Sequence, residues 1–172
     1  MLEIPLPERP LPLNSGPERE QLSSWLEFYR ATLLWKCAGL GVEQLIAHPV
    51  VTSDLTLLGL VRHMTIVEQY WFEVAFCDRA VEWCYESDDD SDVDFHDLLG
   101  APLDEVVENF TEACRRSREV VSGHELDAMA LHARADRQVD LRWIYLHMIE
   151  EYARHNGHAD LIRERIDGST GD

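Results

Sequence analysis

The stretch LRWIYLHMIEEYARHNGHADLIRERID, residues 141–167, decides the fold of this 172-residue chain. Wound at about 100° per residue, it predicts a helix over residues 140–167. One face carries Ile144, Met148, Glu151, His155, Ala159, Ile162 and Ile166. That stripe is only about 80° wide and should face a core. A carboxylate and an imidazole nevertheless sit at its centre, one turn apart. An unpaired buried carboxylate costs several kcal/mol, so both groups need partners.

Working outward, three further helices follow from the same periodicity. Ser53 is a favourable N-cap for a helix from Leu55 to about Cys77. This segment is apolar almost all round, which predicts a central element. One of its faces holds Thr56, Gly59, Leu60, His63, Ile66, Val67, Tyr70, Val74 and Cys77, with His63 mid-stripe. Ser15-Gly16-Pro17 reads as a helix start, with Ser15 at or just before the N-cap, and Gly39 to Gly41 as its stop. Pro102 opens another helix, which runs to about Val121 before Gly123. No strand signal or internal repeat stands out. The expectation is an all-α four-helix bundle over residues 15–168, with long inter-helix connections that allow crossovers. Residues 1–14, with four prolines, read as an extended arm, and residues 169–172 as a frayed tail.

Composition narrows the function. The formal charge is −18, from 33 acidic and 15 basic residues, which argues against nucleic acid and anionic membrane as partners. No apolar run is long enough to span a bilayer. The acidic, proline-rich start MLEIPLPERP does not read as a secretion signal. Cys37, Cys77, Cys84 and Cys114 form no C-x-x-C pair. A cytoplasmic protein with reduced thiols is the expectation. Within the acidic run of residues 86–94, the spacing of Asp88, Asp90 and Asp92 faintly suggests a calcium loop. Val93 stands where that loop needs glycine and Leu99 where it needs glutamate, so a solvated acidic loop is expected instead.

Three polar residues therefore occupy apolar stripes: His63 on one helix, and Glu151 and His155 on another. Residues at i and i+4 lie one above the other, so Glu151 and His155 can grip one ion, with His63 as a third ligand. Two imidazoles and one carboxylate suit zinc with an open fourth position, and nickel or iron(II) accept the same set. The alternative is structural, with the three residues hydrogen-bonded to one another or to arginines across a partly wet interior. His147 and His158 lie on the flank of the same helix, about 40–60° from the stripe centre. With Arg154 they are candidates for substrate contact or for supporting the ligands, and Asn156 is a weaker one.

Residues 55–72, LTLLGLVRHMTIVEQYWF, together with 141–168 and YRATLLWKCAGL at 29–40, resemble the DinB-like superfamily. The similarity is to its actinobacterial branch containing the mini-circle-protein-type domain of unknown function. It runs from about residue 18 to 168 and is specific in the two signature helices. The resemblance implies a four-helix bundle with a divalent-metal site. The common pattern has one His on the second helix and H-x-x-x-H on the fourth. Here Glu151 replaces the first of that pair, as in the mycothiol-dependent maleylpyruvate isomerase branch. The implied ligands are His63, Glu151 and His155, the set that helical phase also singles out. The implied activity is that of a transferase or isomerase that uses a low-molecular-weight thiol such as mycothiol on a small electrophile. Metal-dependent hydrolysis and a non-catalytic metal-binding stress or regulatory role are the alternatives. A homodimer fits the resemblance, although the sequence shows no self-complementary patch.

Overall fold

The computed structural model describes residues 3–87, 89–90, 92–132 and 137–171. The chain is all-α: α1 (Glu18–Cys37), α2 (Val42–Leu45), α3 (Leu57–Glu68), α4 (Leu103–Val121) and α5 (Leu141–Asp167). Beyond Glu68, α3 continues as a π-helix, Gln69–Phe76. Among the described residues there is no strand, and an isolated bridge pairs Met129 with Asp140. α1 packs along α5 and α3 along α4, and α3 also touches α1 and α5. Leu33, Leu58, Val61, Met64, Phe110, Ile144, Met148 and Tyr152 interlock between them.

The helix ends follow local chemistry. At the start of α5 the Trp143 N–H donates to Asp140 Oδ1 at 2.8 Å. Gly168 closes the helix in the left-handed conformation, φ 81°, and its N–H donates to the Glu164 carbonyl. The expected cap Ser53 does not cap α3. The helix starts two residues later than predicted, so Thr56 stands at the N-cap and accepts from the Gly59 N–H at 2.9 Å. Ser53 instead accepts from the Leu55 N–H in a local turn. Pro17 holds the N-cap position of α1 and makes no side-chain cap bond.

The N-terminal arm lies on the protein from residue 3 onward. Ile4 is buried and its carbonyl accepts from the Gly39 N–H, while Arg9 stacks over Phe28 and Trp35. Met1 and Leu2 at its beginning, and Asp172 of the expected frayed tail, lie outside the described residues. The acidic loop is solvated only in part. Glu86, Asp89 and Asp92 are exposed, but Asp94 is buried. Arg62 fastens this loop by donating to the carbonyls of Val93 and His96 and stacking over Tyr85. Asp88, of the discarded calcium pattern, lies outside the described residues.

The carboxylate that the fold buries completely is Glu68, not Glu151. Glu68 is 0% exposed and each of its oxygens accepts two hydrogen bonds. Arg30 of α1 binds both oxygens, at 2.8 and 2.6 Å. Ser117 of α4 adds a bond at 2.6 Å, and Tyr152 of α5 one at 2.8 Å. Burial works to lower the Arg30 pKa, but Glu68 outweighs it and the guanidinium stays charged. Burial, then the neighbouring Cys114 and Glu68, push the Tyr152 phenol well up, so it donates as a neutral hydroxyl. One side chain from each of the four long helices meets at this point. These four bonds tie the four long helices together at one point, and removal of one partner would leave a polar group buried without its bond.

Candidate metal centre

His63 comes from the middle of α3, and Glu151 and His155 from successive turns of α5. The fold brings one ligand atom of each within 4.8 Å of the other two. The His63 and His155 ring centroids are 4.8 Å apart, and His155 Nε2 is 3.4 Å from Glu151 Oε2. The three do not sit in the closed core that their stripes suggested. Their side chains are 29%, 18% and 12% exposed for His63, Glu151 and His155. Tyr152 and Asn156 fill the buried phase of that turn, and Asn156 ties α5 to α1 by donating to the Tyr29 carbonyl. The stripe therefore leaves the closed core for one turn, then returns at Ala159 and Ile162.

Each of the three residues is held by a neighbour. His63 Nδ1 is 2.6 Å from Asp94 Oδ2, which leaves Nε2 as the second ring nitrogen. His155 is pushed down to about 4, by burial first and then by His63 and His158, so its ring is neutral at physiological pH. His158 Nδ1 lies 3.5 Å from His155 Nδ1. Glu151 divides its oxygens, with Oε2 toward His155 and Oε1 at 3.6 Å from His147 Nε2. A neutral imidazole, a carboxylate-steadied imidazole and a carboxylate are the donor chemistry that zinc, nickel and iron(II) accept. The residues present fit a divalent metal.

The candidates around this trio fall into two groups. His147 and His158 both contact it. Arg154 is 56% exposed and its guanidinium is bound to Glu150, on the solvent side of α5. The sequence reading missed Asp94, which it dissolved into the acidic loop. It also missed Trp71 and Trp143, which touch each other and both pack on His147: His147 stacks on Trp143 at 4.9 Å and meets Trp71 edge-on at 4.6 Å. Regular helical phase puts Tyr70 nearer the His63 face. Trp71, seven residues after the buried Met64, lies on another face and contacts α5 from the π-helical segment.

The family model described as Mycothiol-S-transferase matches residues 21–168, from the first turn of α1 to the C-cap of α5. The chain belongs to the mycothiol-S-transferase family. This is a DinB-like family, in line with the resemblance of the two signature helices. No curated protein matches the chain. A mycothiol-S-transferase takes its sulfur from a small thiol, and the cysteines of this family member are poorly suited to replace it. Burial pushes Cys37 up to about 12 and raises Cys114, Cys77 and Cys84 as well. All four are free thiols, and none lies where its thiolate is favoured at neutral pH.

Among the described residues no helix is long and apolar enough to cross a membrane.

Proposed function

We propose that this protein is a metal-dependent mycothiol S-transferase acting on a small electrophile. Its ligands are His63, Glu151 and His155, its metal is zinc, and its scaffold is a DinB-like four-helix bundle. The observation that carries the reading is the approach of three ligand atoms from two helices to within 4.8 Å, in a chain of the mycothiol-S-transferase family. When bound, the metal would lower the pKa of the incoming thiol and so make a thiolate available at neutral pH.

The chain's own residues supply the rest. Asp94 fixes the ring plane and tautomer of His63. Neutral His155 keeps a lone pair free for coordination. The partial exposure of the trio leaves an approach for two reactants. In the transfer, the thiol sulfur forms a bond to the electrophilic carbon while the bond from that carbon to the leaving group breaks. The leaving group departs with the electron pair. His147, beside Glu151, accepts the thiol proton and passes it to water. The products are the thioether, the leaving-group anion and a proton.

Hydrolysis has less support. Glu150, the carboxylate next to the ligand pair, is half exposed and bound by Arg154, so it does not stand as a general base. The test is metal analysis and turnover of wild type against His63→Ala, Glu151→Ala and His155→Ala, with mycothiol and monochlorobimane as reactants. Loss of metal and of thioether formation in all three variants is expected. Unchanged metal content in the three, or a metal-loaded wild type without thiol-dependent turnover, refutes the proposal.

A further inference from the structure

A cleft of about 710 Å³ opens beside the first turns of α5, lined by Met129, Arg137, Val139, Asp140, Trp143 and His147. We infer that it is the electrophile-binding subsite, shaped for a planar apolar group that carries an anionic substituent. The inference rests on the reading above of the trio as the reaction centre and names the second reactant's class.

The first argument is position. His147 belongs to both places: it lines the cleft, and its Nε2 is 3.6 Å from Glu151 Oε1. Trp143, His147, Glu151 and His155 follow one another at four-residue spacing along α5. They share a face that leads from the cleft to the ligand cluster. Trp71 of the π-helical segment stands across from this row, 5.2 Å from Trp143 and 4.6 Å from His147. A molecule seated against Trp143 therefore extends toward His147 and the centre where sulfur is presented.

The second argument is chemistry. Trp143 is 40% exposed and Met129 50% exposed, although each is large and apolar. A side chain of that kind at a cleft wall gains most from a flat apolar ligand, by stacking and by sulfur–aromatic contact. The third argument is charge. In a chain of net charge −18 an anionic ligand is repelled unless a local cation receives it. Arg137 stands on the cleft wall. The cleft's own carboxylate, Asp140, is already committed: one oxygen caps α5 and the other lies 3.5 Å from Arg142. A guanidinium, an indole and an imidazole on the walls of one cleft select for flatness and charge together.

The test uses unreactive probes on the full chain: 1-naphthoate, and 1-naphthamide as its uncharged counterpart, with binding read by calorimetry. The variants are Trp143→Ala, Arg137→Gln and, as a substitution at an exposed position that fills the cleft without opening the core, Met129→Trp. Wild type should bind both probes. Trp143→Ala and Met129→Trp should weaken both by about tenfold or more. Arg137→Gln should weaken the naphthoate by about tenfold and leave the amide unchanged. Metal content and the KM for the thiol should stay at wild-type values in all three. Unchanged probe affinity in Met129→Trp and Trp143→Ala overturns the subsite, as does equal loss of both probes in Arg137→Gln. If the probes behave as expected but wild type shows no transfer, the transferase reading falls while the cleft stands as a binding site for planar anions.

Discussion

Asp94 Oδ2 lies 2.6 Å from His63 Nδ1, joining a buried loop carboxylate to a helix imidazole 31 residues away in sequence. A carboxylate in that place fixes the ring orientation and raises the basicity of the opposite nitrogen. Asp94→Asn should weaken metal binding by about 10–100-fold without unfolding the chain. Competition with a chromophoric chelator measures it. An unchanged affinity would show that Asp94 serves only to anchor the loop.

Gly59 controls the same contact from the helix side. A Cβ added there would stand 2.6 Å from Phe95 Cδ1 and 2.9 Å from Thr56 Oγ1. Phe95 packs beside the His63 ring at 5.5 Å and directly follows Asp94. Gly59→Ala should push Phe95 outward, draw Asp94 away from His63 and reduce metal affinity. Adding Phe95→Ala should recover part of the loss, because the clash is removed. Failure of the second substitution to help would mean that the Thr56 cap, and not the loop, carries the effect.

Glu68→Gln should be among the most destabilising substitutions in the protein. It removes the fully buried one of Arg30's two carboxylate partners and leaves the guanidinium to the part-exposed Glu27 at 2.7 Å, a loss of up to about 3–5 kcal/mol for a broken buried pair. Replacing the pair together, Arg30→Met with Glu68→Leu, should cost less, since no uncompensated charge then remains. Urea unfolding of the three proteins decides it. A double variant no more stable than the single one would show that Ser117 and Tyr152 depend on the carboxylate as much as Arg30 does.

The cysteines give a pH dependence of known sign. Cys37 keeps its proton up to about pH 12 in the folded chain, whereas an exposed thiol loses it near 9. Above pH 9 the unfolded chain binds fewer protons than the folded one, so stability falls as pH rises through that window. At pH 8 the buried thiols of Cys37 and Cys114 should react with a disulfide reagent only on unfolding. Cys77→Ser and Cys84→Ser should keep thiol-dependent turnover, because the reacting sulfur is external. Loss of turnover in either would place a protein thiol in the reaction.

The long helices were legible because their signals are local. Apolar spacing, Pro102 and Gly123 act within one or two turns, and α4 begins and ends beside them. Small shifts of a helix start move the cap, and here Thr56, not Ser53, caps the start of α3. Glu151 and His155 could be paired from sequence because i and i+4 are neighbours on any helix. Their meeting with His63 depends on how α3 and α5 pack, and so does the partial exposure of all three.

What the tertiary structure alone decided involves groups far apart in the chain. Arg30, Ser117 and Tyr152 reach Glu68 from three other helices. Asp94 looked like part of a solvated acid run until the loop, fastened by Arg62, turned it onto His63. Trp71 meets Trp143 and His147 only where the π-helical segment packs on α5. Sequence by itself determined the helices and the chemistry each could offer, because those depend on neighbours a turn away. The partners, the exposure and the cleft came from packing, because burial is a property of the assembled helices and not of any one of them.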